Sequence, residues 1–499
     1  MNDLLEAQAY RRTLAYILSM AVNKLFPENY LEIQHSLGNS YYYLLKKSNS
    51  PDTKAIKDEM KRLIDENLPI SVAYYSYEEA LEMLKDERFR PSRLLVEEKN
   101  RQFIDFALCG TFYAVYDETL LPTTGLIEDF DIIPFKEGFL LCFPRIGETK
   151  IVKKEKNFSD SAFQSSGYNA LCEIYRLNKQ WNLQTGIEYA GELNQTINSG
   201  GIKEYIRMEE SFQQRNLNKI ADEIAARHKT QGLKAVLIAG PSSSGKTTTA
   251  KRLSIELKVL GLLPQPISLD NYYVNTDKTP LDEAGNPDYE CLEALDIAFL
   301  NEQLQALLQG KEVRLCSYDF KTGRRRPEGA ETIRMSERSI LIIEGIHGLN
   351  DKLTPSIAKK SKFKLYVSAL YALNLDNLNR IPASDGRIIR RMVRDSQFRK
   401  TSAEKTLSMW PSVQAGERKH IFPFQNAADA FFNSSLDYEV SALRFFAEPL
   451  LRSVKPTSPE YAETKRLLHF IENFTPIAPE MVPAASILRE FIGGSEFKY

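Results

Sequence analysis

The sequence predicts an α/β fold with a doubly wound parallel sheet after residue 232, preceded by an α+β region. From residue 232 onward, short β-branched runs alternate with helical segments, a rhythm typical of parallel sheets covered by helices. The predicted strands are residues 235–239, 267–270, 340–344 and 363–368. The region before residue 144 instead combines a helical pattern at its start with short apolar runs such as residues 138–143.

The chain has 499 residues, enough for several domains with separate cores. We predict four successive parts: an N-terminal domain (1–155), a helical connector (156–231), the domain with the parallel sheet (232–448) and a C-terminal helical extension (449–499). In the first part, apolar residues recur at helical spacing and Pro27 is predicted to end the helix. These apolar residues are Leu14, Ile17, Leu18, Ala21, Val22 and Leu25.

Composition excludes several classes of protein. The formal net charge is -1, so a general nucleic-acid coat is not expected. Five scattered cysteines without C-x-x-C pairing argue against a disulfide framework or a zinc ribbon. The N-terminus lacks a signal-peptide pattern, and no apolar run is long enough to span a membrane. We therefore expect a cytoplasmic protein with a small-molecule substrate; self-association stays open.

The first predicted strand leads into the loop G-P-S-S-S-G-K-T, which fits G-x-x-x-x-G-K-[ST], and a helical segment follows. Gly240 and Gly245 allow the backbone N–H groups to point inward and cradle phosphates. Lys246 is expected to reach the β- and γ-phosphates of ATP, and the Thr247 hydroxyl to bind Mg²⁺. These features predict a P-loop NTPase fold. The predicted nucleotide-binding residues are Gly240, Pro241, Ser242, Ser243, Ser244, Gly245, Lys246, Thr247 and Thr248.

Two acids follow later strands at the edge where ligands bind in open α/β sheets. Asp270 opens D-N-Y-Y and is placed to orient or deprotonate an attacking hydroxyl. Glu344 ends its strand at the Walker B position, where an acid holds Mg²⁺ directly or through water. The alternatives are a turn or N-cap role for Asp270 and a salt bridge for Glu344.

Four arginines, Arg387, Arg390, Arg391 and Arg394, lie on one face of a predicted helix. Crowding four guanidinium groups is electrostatically costly unless an anion binds there. In a P-loop kinase that anion is the triphosphate, and the helix acts as a lid. A solvated basic face or an RNA-contacting patch is the alternative interpretation.

Residues 234–446 resemble the uridine kinase/phosphoribulokinase family. The likeness rests on the phosphate loop, L-D-N-Y-Y, P-D-Y-E-C-L-E-A-L-D, Y-D-F-K-T-G-R, I-I-E-G-I and the Arg-rich helix, in the family's order and spacing. The resemblance implies ATP and Mg²⁺, with Asp270, Lys246 and Arg391 acting in catalysis and Arg394 facing ATP. It also implies that Tyr273, Asp288, Tyr318 and Arg391 contact the acceptor.

The departures from the family pattern concern the acceptor. Gly323 stands where uridine kinases usually carry a His, and Thr401 and Met409 replace other polar positions of the family. A buried polar group of the ligand that loses its partner costs about 1–3 kcal/mol, enough to alter substrate choice. The phosphate-transfer residues therefore match the family better than the acceptor residues do.

The N-terminal stretch Y-R-R-T-L-A-Y-I-L-S-M-A-V-N-K-L-F-P is similar to the second additional domain of threonyl-tRNA synthetases, which is associated with editing. That family's H-x-x-x-H pair reads Arg12 and Tyr16 here, and its C-x-x-x-H pair reads Cys109 and Tyr113. A zinc-type ion needs three or four N or S ligands, and only Cys109 is of that type. We predict no metal and no editing hydrolysis in this domain.

Together, these patterns predict an ATP-dependent kinase that transfers the γ-phosphate to a hydroxyl of a small metabolite, with a nucleoside as the leading acceptor. A polyol, a sugar phosphate or pantothenate is the alternative acceptor. The rival from another class is an RNA-associated ATP-binding regulator, motivated by the synthetase-like domain and the basic helix.

Overall fold

The computed structural model divides the chain into two compact units, and neither is continuous in sequence. Unit 1 comprises Met1–Lys203, Tyr371–Asp385 and Asp437–Ala478, and unit 2 comprises Glu204–Leu370, Gly386–Leu436 and Pro479–Tyr499. The structure describes residues 3–47, 51–99, 101–116, 118–145, 149–151, 166–281, 285, 287–319, 322–326 and 331–498. Within these ranges, no helix is both long and apolar enough to cross a membrane.

The helices and strands of the described residues are numbered here in chain order. The α-helices are α1 (Asp3–Leu25), α2 (Thr53–Asp65), α3 (Tyr77–Met83), α4 (Arg90–Lys99), α5 (Ser166–Thr185), α6 (Ala190–Asn198), α7 (Ile202–Gln231), α8 (Lys246–Val259), α9 (Ile297–Leu308), α10 (Ala383–Arg399), α11 (Ala403–His420), α12 (Glu439–Arg452), α13 (Tyr461–Ile471) and α14 (Arg489–Ile492). The strands are β1 (Tyr30–Ser36), β2 (Ser40–Lys46), β3 (Ser71–Ser76), β4 (Phe103–Cys109), β5 (Phe112–Val115), β6 (Asp131–Phe135), β7 (Gly138–Cys142), β8 (Ala235–Ala239), β9 (Leu263–Ser268), β10 (Glu312–Arg314), β11 (Ser317–Asp319), β12 (Arg324–Arg326), β13 (Thr332–Arg334), β14 (Ser339–Glu344), β15 (Lys362–Ser368) and β16 (Ala430–Asn433).

Unit 1 combines helices with two antiparallel sheets, of order β1-β2-β7-β6 and β3-β4-β5. Helix α1 confirms the helical spacing at the N-terminus: its residues Leu14, Ile17 and Leu18 are fully buried, and it ends at Leu25, two residues before Pro27. Strand β7 confirms the predicted run at 138–143 and is buried along its whole length. The core of this unit lies between α1, α2 and the larger sheet.

Unit 2 contains a five-stranded, all-parallel sheet of order β16-β15-β8-β14-β9. Strands β8, β14 and β15 confirm the predicted runs, and every residue of β8 and β15 is buried. This burial explains the continuous apolar character of β8, because helices cover both faces of parallel sheets.

The boundaries of one predicted strand were wrong. Strand β9 begins at Leu263 and ends at Ser268, so Asp270 lies in the 3₁₀ turn that follows rather than in the strand. Pro264 and Pro266 concealed the start of the strand, since proline opposes a central strand. Strand β9 is the last strand in the sheet order, a position where proline is tolerated.

Candidate active site

The phosphate loop connects β8 to α8 and depends on its glycines. A Cβ atom at Gly240 would lie 2.0 Å from the carbonyl oxygen of Val367 on the neighbouring strand, so no side chain fits there. Ser243 and Gly245 adopt left-handed backbone conformations, with φ of 58° and 79°. These conformations curl the chain before α8 begins at Lys246, which leaves the helix N-terminus directly after the loop.

Thr247 and Glu344 lie together at the carboxyl edge of the sheet. Parallel pairing brings Glu344 level with Ser268 of β9. The Thr247 hydroxyl is 3.4 Å from both carboxylate oxygens of Glu344, and Ser268 donates to one of them at 3.2 Å. Burial, reinforced by the nearby Asp270, raises the pKa of Glu344 to about 7. A carboxylate and hydroxyls are hard oxygen ligands of the kind that Mg²⁺ prefers, so these residues fit a magnesium site.

The raised pKa of Glu344 predicts a pH-dependent stability. Between its ordinary value of 4.5 and about 7, the folded state holds a proton that the unfolded chain has released. The contribution of Glu344 to stability therefore falls as pH rises through this window. We expect Glu344→Gln to raise the free energy of unfolding more at about pH 8 than at about pH 5, by an amount on the order of 2 kcal/mol.

Denaturant titrations at the two pH values measure this difference. Glu337→Gln makes the same chemical change at an exposed position of the same unit and serves as the matched control. Equal effects of Glu344→Gln at both pH values would contradict the raised pKa.

Lys246 and Asp270 carry opposite charges beside Glu344. The Lys246 ammonium donates to the carbonyl oxygen of Pro241 at 2.9 Å. Desolvation lowers the pKa of Lys246, while Glu344 and Asp270 act in the opposite direction. Asp270 is exposed to solvent, yet the protein around it raises the pKa of its carboxyl by desolvation, against the attraction of Lys246 and Arg399. The structure thus brings Lys246, Thr247, Asp270 and Glu344 close together.

The four predicted arginines of helix α10 form two pairs that differ in their contacts. Arg391 donates to the Ser242 hydroxyl in the phosphate loop at 2.8 Å. Arg394 forms an ion pair with Asp395 at 2.7 Å and also acts electrostatically on Asp270. Arg391 therefore contacts the phosphate loop directly, and Arg394 lies near enough to Asp270 to act on its charge.

The other two arginines of α10 are bound by the protein itself. Arg387 forms a bidentate ion pair with Glu417 of α11, with one N–O distance of 2.8 Å. Arg390 is fully buried and donates to the Ser434 carbonyl oxygen at 2.8 Å. The argument that all four guanidinium groups need an external anion was therefore wrong for Arg387, because Glu417 supplies a carboxylate within unit 2. Arg390 instead donates to backbone and hydroxyl oxygens of the same unit.

A cluster of tyrosines follows Asp270 in the 3₁₀ turn and its neighbours. The rings of Tyr289 and Tyr318 both lie 5.7 Å from that of Tyr273, measured between centroids. The Tyr273 hydroxyl donates to the Tyr289 carbonyl oxygen at 3.2 Å, and the Tyr289 hydroxyl donates to Thr276 at 3.2 Å. Desolvation raises the pKa of Tyr273, and the negative charge of Asp270 raises it further, so the carboxylate lies near enough to Tyr273 to act on it electrostatically.

Asp288 and Gly323 have local structural roles. One Asp288 carboxylate oxygen accepts the backbone N–H of Glu290 at 3.0 Å and so closes a turn. Gly323 has a φ of 65°, and a Cβ atom there would lie 2.1 Å from the Thr276 hydroxyl oxygen. A larger residue at position 323 would be strained in this left-handed backbone conformation and would require the Thr276 side chain to move.

Three carboxylates at the site were not predicted from the sequence. Glu417 accepts the backbone N–H of Ser242 at 2.9 Å, and Glu490 of α14 accepts the backbone N–H of Thr248 at 3.1 Å. Burial, with a further contribution from Glu417, raises the pKa of Glu290 to about 7. No sequence motif near these residues predicted their position. Glu417 and Glu490 lie on helices that are distant from the phosphate loop in sequence.

The phosphate loop, the acids at the sheet edge and the arginine helix define a P-loop kinase. Residues 235–441 match the model of the Phosphoribulokinase / Uridine kinase family, and the chain belongs to this family. It is accordingly an ATP-dependent phosphotransferase that acts on a hydroxyl group of a small metabolite.

Several uridine kinases are similar to this part of the chain. The uridine kinase of Bacillus pumilus is 30% identical over 193 residues, which are 38% of this chain and 82% of that protein. The uridine kinase of Bacillus subtilis is 31% identical over 35% of this chain and 74% of that protein. That of Halobacterium salinarum is 27% identical over 39% of this chain and 77% of that protein. A solved D-glycerate 3-kinase from Cryptococcus neoformans aligns with a TM-score of 0.25 at 17% identity, over 56% of this chain and 87% of that one.

Proposed function

We propose that the chain transfers the γ-phosphate of ATP to a hydroxyl group of a nucleoside. The observation that carries this proposal is the position of Asp270, an accessible carboxylate between Lys246 of the phosphate loop and the tyrosine cluster of Tyr273, Tyr289 and Tyr318. The uridine kinases named above support a nucleoside as the acceptor class.

In the proposed reaction, the loop N–H groups and Lys246 hold the phosphates of ATP. Asp270 accepts the proton of the acceptor hydroxyl as its oxygen attacks the γ-phosphorus, and ADP departs. Arg391 and Arg394 counter the charge that spreads over the transferred group. Thr247 and Glu344 are the residues that would hold Mg²⁺, which neutralises phosphate charge when bound.

The acceptor side supports a planar ligand. Aromatic rings prefer offset or edge contacts with other rings, so a base fits beside Tyr273, Tyr289 or Tyr318. Asp288 and Arg391 are proposed to contact the sugar or the base. With a glycine at position 323, the chain lacks one polar contact that is typical of uridine kinases. This difference favours another nucleoside, or a compound similar to a nucleoside, over uridine as the acceptor.

A comparison of acceptors tests the proposal. ADP release is followed with uridine, cytidine, adenosine, ribitol, ribose 5-phosphate and pantothenate, each with a no-acceptor control. A nucleoside is expected to give the highest kcat/KM. Faster phosphorylation of ribitol, ribose 5-phosphate or pantothenate would replace the nucleoside by that acceptor, and phosphate release stimulated by tRNA alone would favour an RNA-associated ATPase.

We also propose that residues 1–155 form a domain like the second additional domain of threonyl-tRNA synthetases, without its metal chemistry. The residues at the ligand positions have other partners. Tyr16 donates to the Ala107 carbonyl oxygen at 3.0 Å, Tyr113 donates to the Met83 carbonyl oxygen at 2.9 Å, and Arg12 pairs with Glu118. These contacts support a structural role for the three positions, and the fourth, Cys109, is a buried free cysteine. The connector (156–231), the kinase domain (232–448) and the C-terminal extension (449–499) complete the proposed division.

A further inference from the structure

Unit 1 contains a cavity that takes no part in the proposed phosphate transfer. Its volume is about 180 Å³, enough space for a small metabolite. Residues from α1, from the segment before α10 and from α13 line it, and all lining residues belong to unit 1. The cavity is therefore described within one compact unit and is distinct from the phosphate loop of unit 2.

The walls of the cavity are rich in arginine. Arg11, Arg12, Arg380 and Arg466 all line it. Two of them pair with protein carboxylates, and the Arg11 guanidinium lies 4.6 Å from the ring centroid of Phe143. Arg12 pairs with Glu118, and Arg466 pairs with Asp385 through N–O distances of 2.6 and 3.0 Å. These pairs are internal to the wall and fix its shape.

Arg380 differs from these arginines. Among the described residues, no carboxylate lies within ion-pair distance of its guanidinium, which instead lies 4.9 Å above the ring of Tyr41. Asp376 also lines the cavity, but its oxygens accept hydrogen bonds from Ser92, Leu378 and Asn379 at 2.8–3.0 Å. These donors occupy the Asp376 carboxylate, so the positive charge of Arg380 lacks a direct counter-ion in the described wall.

Two buried acceptors complete the polar lining. Gln8 Oε1 and Asn473 Oδ1 have no hydrogen-bond partner among the described residues. The Asn473 amide nitrogen donates to the His469 carbonyl oxygen at 2.9 Å, which fixes the orientation of the amide. A buried acceptor without a donor is costly, so both atoms favour a ligand that brings its own donors.

We propose that this cavity binds a small anionic metabolite that carries a carboxylate or phosphate group together with hydroxyl or amino groups. The guanidinium fork of Arg380 matches the oxygens of either anion, and Tyr41 holds the guanidinium in place. Gln8 and Asn473 accept hydrogen bonds from the hydroxyl or amino groups of the ligand. The cavity is thus a second ligand site, separate from the ATP and acceptor sites.

Calorimetric titration of the full-length chain tests this site. The phosphate loop is first saturated with Mg²⁺ and a non-hydrolysable ATP analogue, so that phosphate probes do not report on it. The three charged probes are glycerol 3-phosphate, glycerate and serine. Two controls are titrated beside them: glycerol, which has hydroxyl groups but no anionic group, and inorganic phosphate, which is an anion without a carbon skeleton that bears hydroxyl groups. At least one of the three charged probes is expected to bind more tightly than both glycerol and inorganic phosphate. Tightest binding of glycerol 3-phosphate would indicate a phosphate site, and tightest binding of glycerate or serine would indicate a carboxylate site.

Two variants locate the binding. Arg380→Gln and Gln8→Leu are each expected to weaken binding of the best probe about tenfold or more, since each removes a hydrogen bond to the ligand. Arg176→Gln, an exposed arginine of α5 outside the cavity, is the matched control and should bind like the unaltered chain. Asp270→Asn should also bind normally, whatever the fate of the proposed kinase activity.

Three outcomes would overturn the proposal. The first is that none of the three charged probes binds more tightly than glycerol and inorganic phosphate. The second is that both cavity variants bind the best probe as the unaltered chain does. The third is that Asp270→Asn abolishes binding, which would place the probe in the acceptor site of unit 2. Should Arg380→Gln fail to fold, Gln8→Leu decides alone.

Discussion

Asp270→Asn is expected to lower kcat by about 10²–10⁴-fold, while ATP still binds. Asparagine keeps the shape of the side chain but cannot accept the proton of the acceptor hydroxyl. The carboxylate is accessible to a ligand and lies near enough to Lys246 of the phosphate loop for the two charges to attract each other. Steady-state kinetics with the best acceptor measure kcat, and calorimetry with an ATP analogue measures nucleotide affinity.

Asp277→Asn provides the control for this change. Asp277 is exposed, lies seven residues further along and takes part in none of the contacts of the phosphate loop described above. We expect its substitution to leave kcat unchanged. A fully active Asp270→Asn enzyme would show that Asp270 is not the proton acceptor, and a variant that loses ATP binding would indicate a structural role.

Lys246→Met is expected to lower kcat/KM by about 10²–10³-fold, the loss typical of removing one preorganised charge from a transition state. Methionine retains the length of the side chain but not its charge. The ammonium lies at the loop, interacts electrostatically with Glu344 and Asp270, and is largely desolvated, so its field on a bound phosphate is little screened. The same kinetic assay, performed across ATP concentrations, separates weaker ATP binding from slower transfer.

Lys258→Met is the matched control, because Lys258 is an exposed residue in the last turn of the same helix, α8. Its substitution should change neither kcat nor KM. If Lys246→Met retained full activity, another cation would have to hold the β- and γ-phosphates. Arg391, which contacts Ser242, is the nearest candidate among the contacts described.

The central strands of the sheet were predictable because a strand that is buried on both faces consists of consecutive apolar residues. Strands β8 and β14 are continuous apolar runs with little competing polarity. Strand β9 has the sequence L-P-Q-P-I-S, and its two prolines made a strand look unfavourable from the sequence. The strand forms because it lies at the edge of the sheet, where proline is tolerated. The short strand β16 also escaped prediction, since four residues carry too little periodicity.

In the candidate site, too, some residues were predictable from the sequence and others were not. The phosphate loop was predictable because its binding groups are the backbone and side chains of consecutive residues. Glu417 and Glu490 were not, because they come from α11 and α14 and meet the loop only in the folded unit. Helical spacing correctly placed the arginines of α10 on that helix, but it could not reveal that Arg387 already has Glu417 as its partner.

The most direct test of the kinase assignment follows the labelled phosphate itself. The purified chain is incubated with Mg²⁺, ATP carrying ¹⁸O in its γ-phosphate and a deproteinised extract of small metabolites, and mass spectrometry then searches for labelled products. We expect a labelled phosphate ester of a small hydroxyl compound with the unaltered chain and with Asp277→Asn, but not with Asp270→Asn. Label found only in inorganic phosphate, at equal rates with and without the extract, would contradict phosphate transfer to a metabolite.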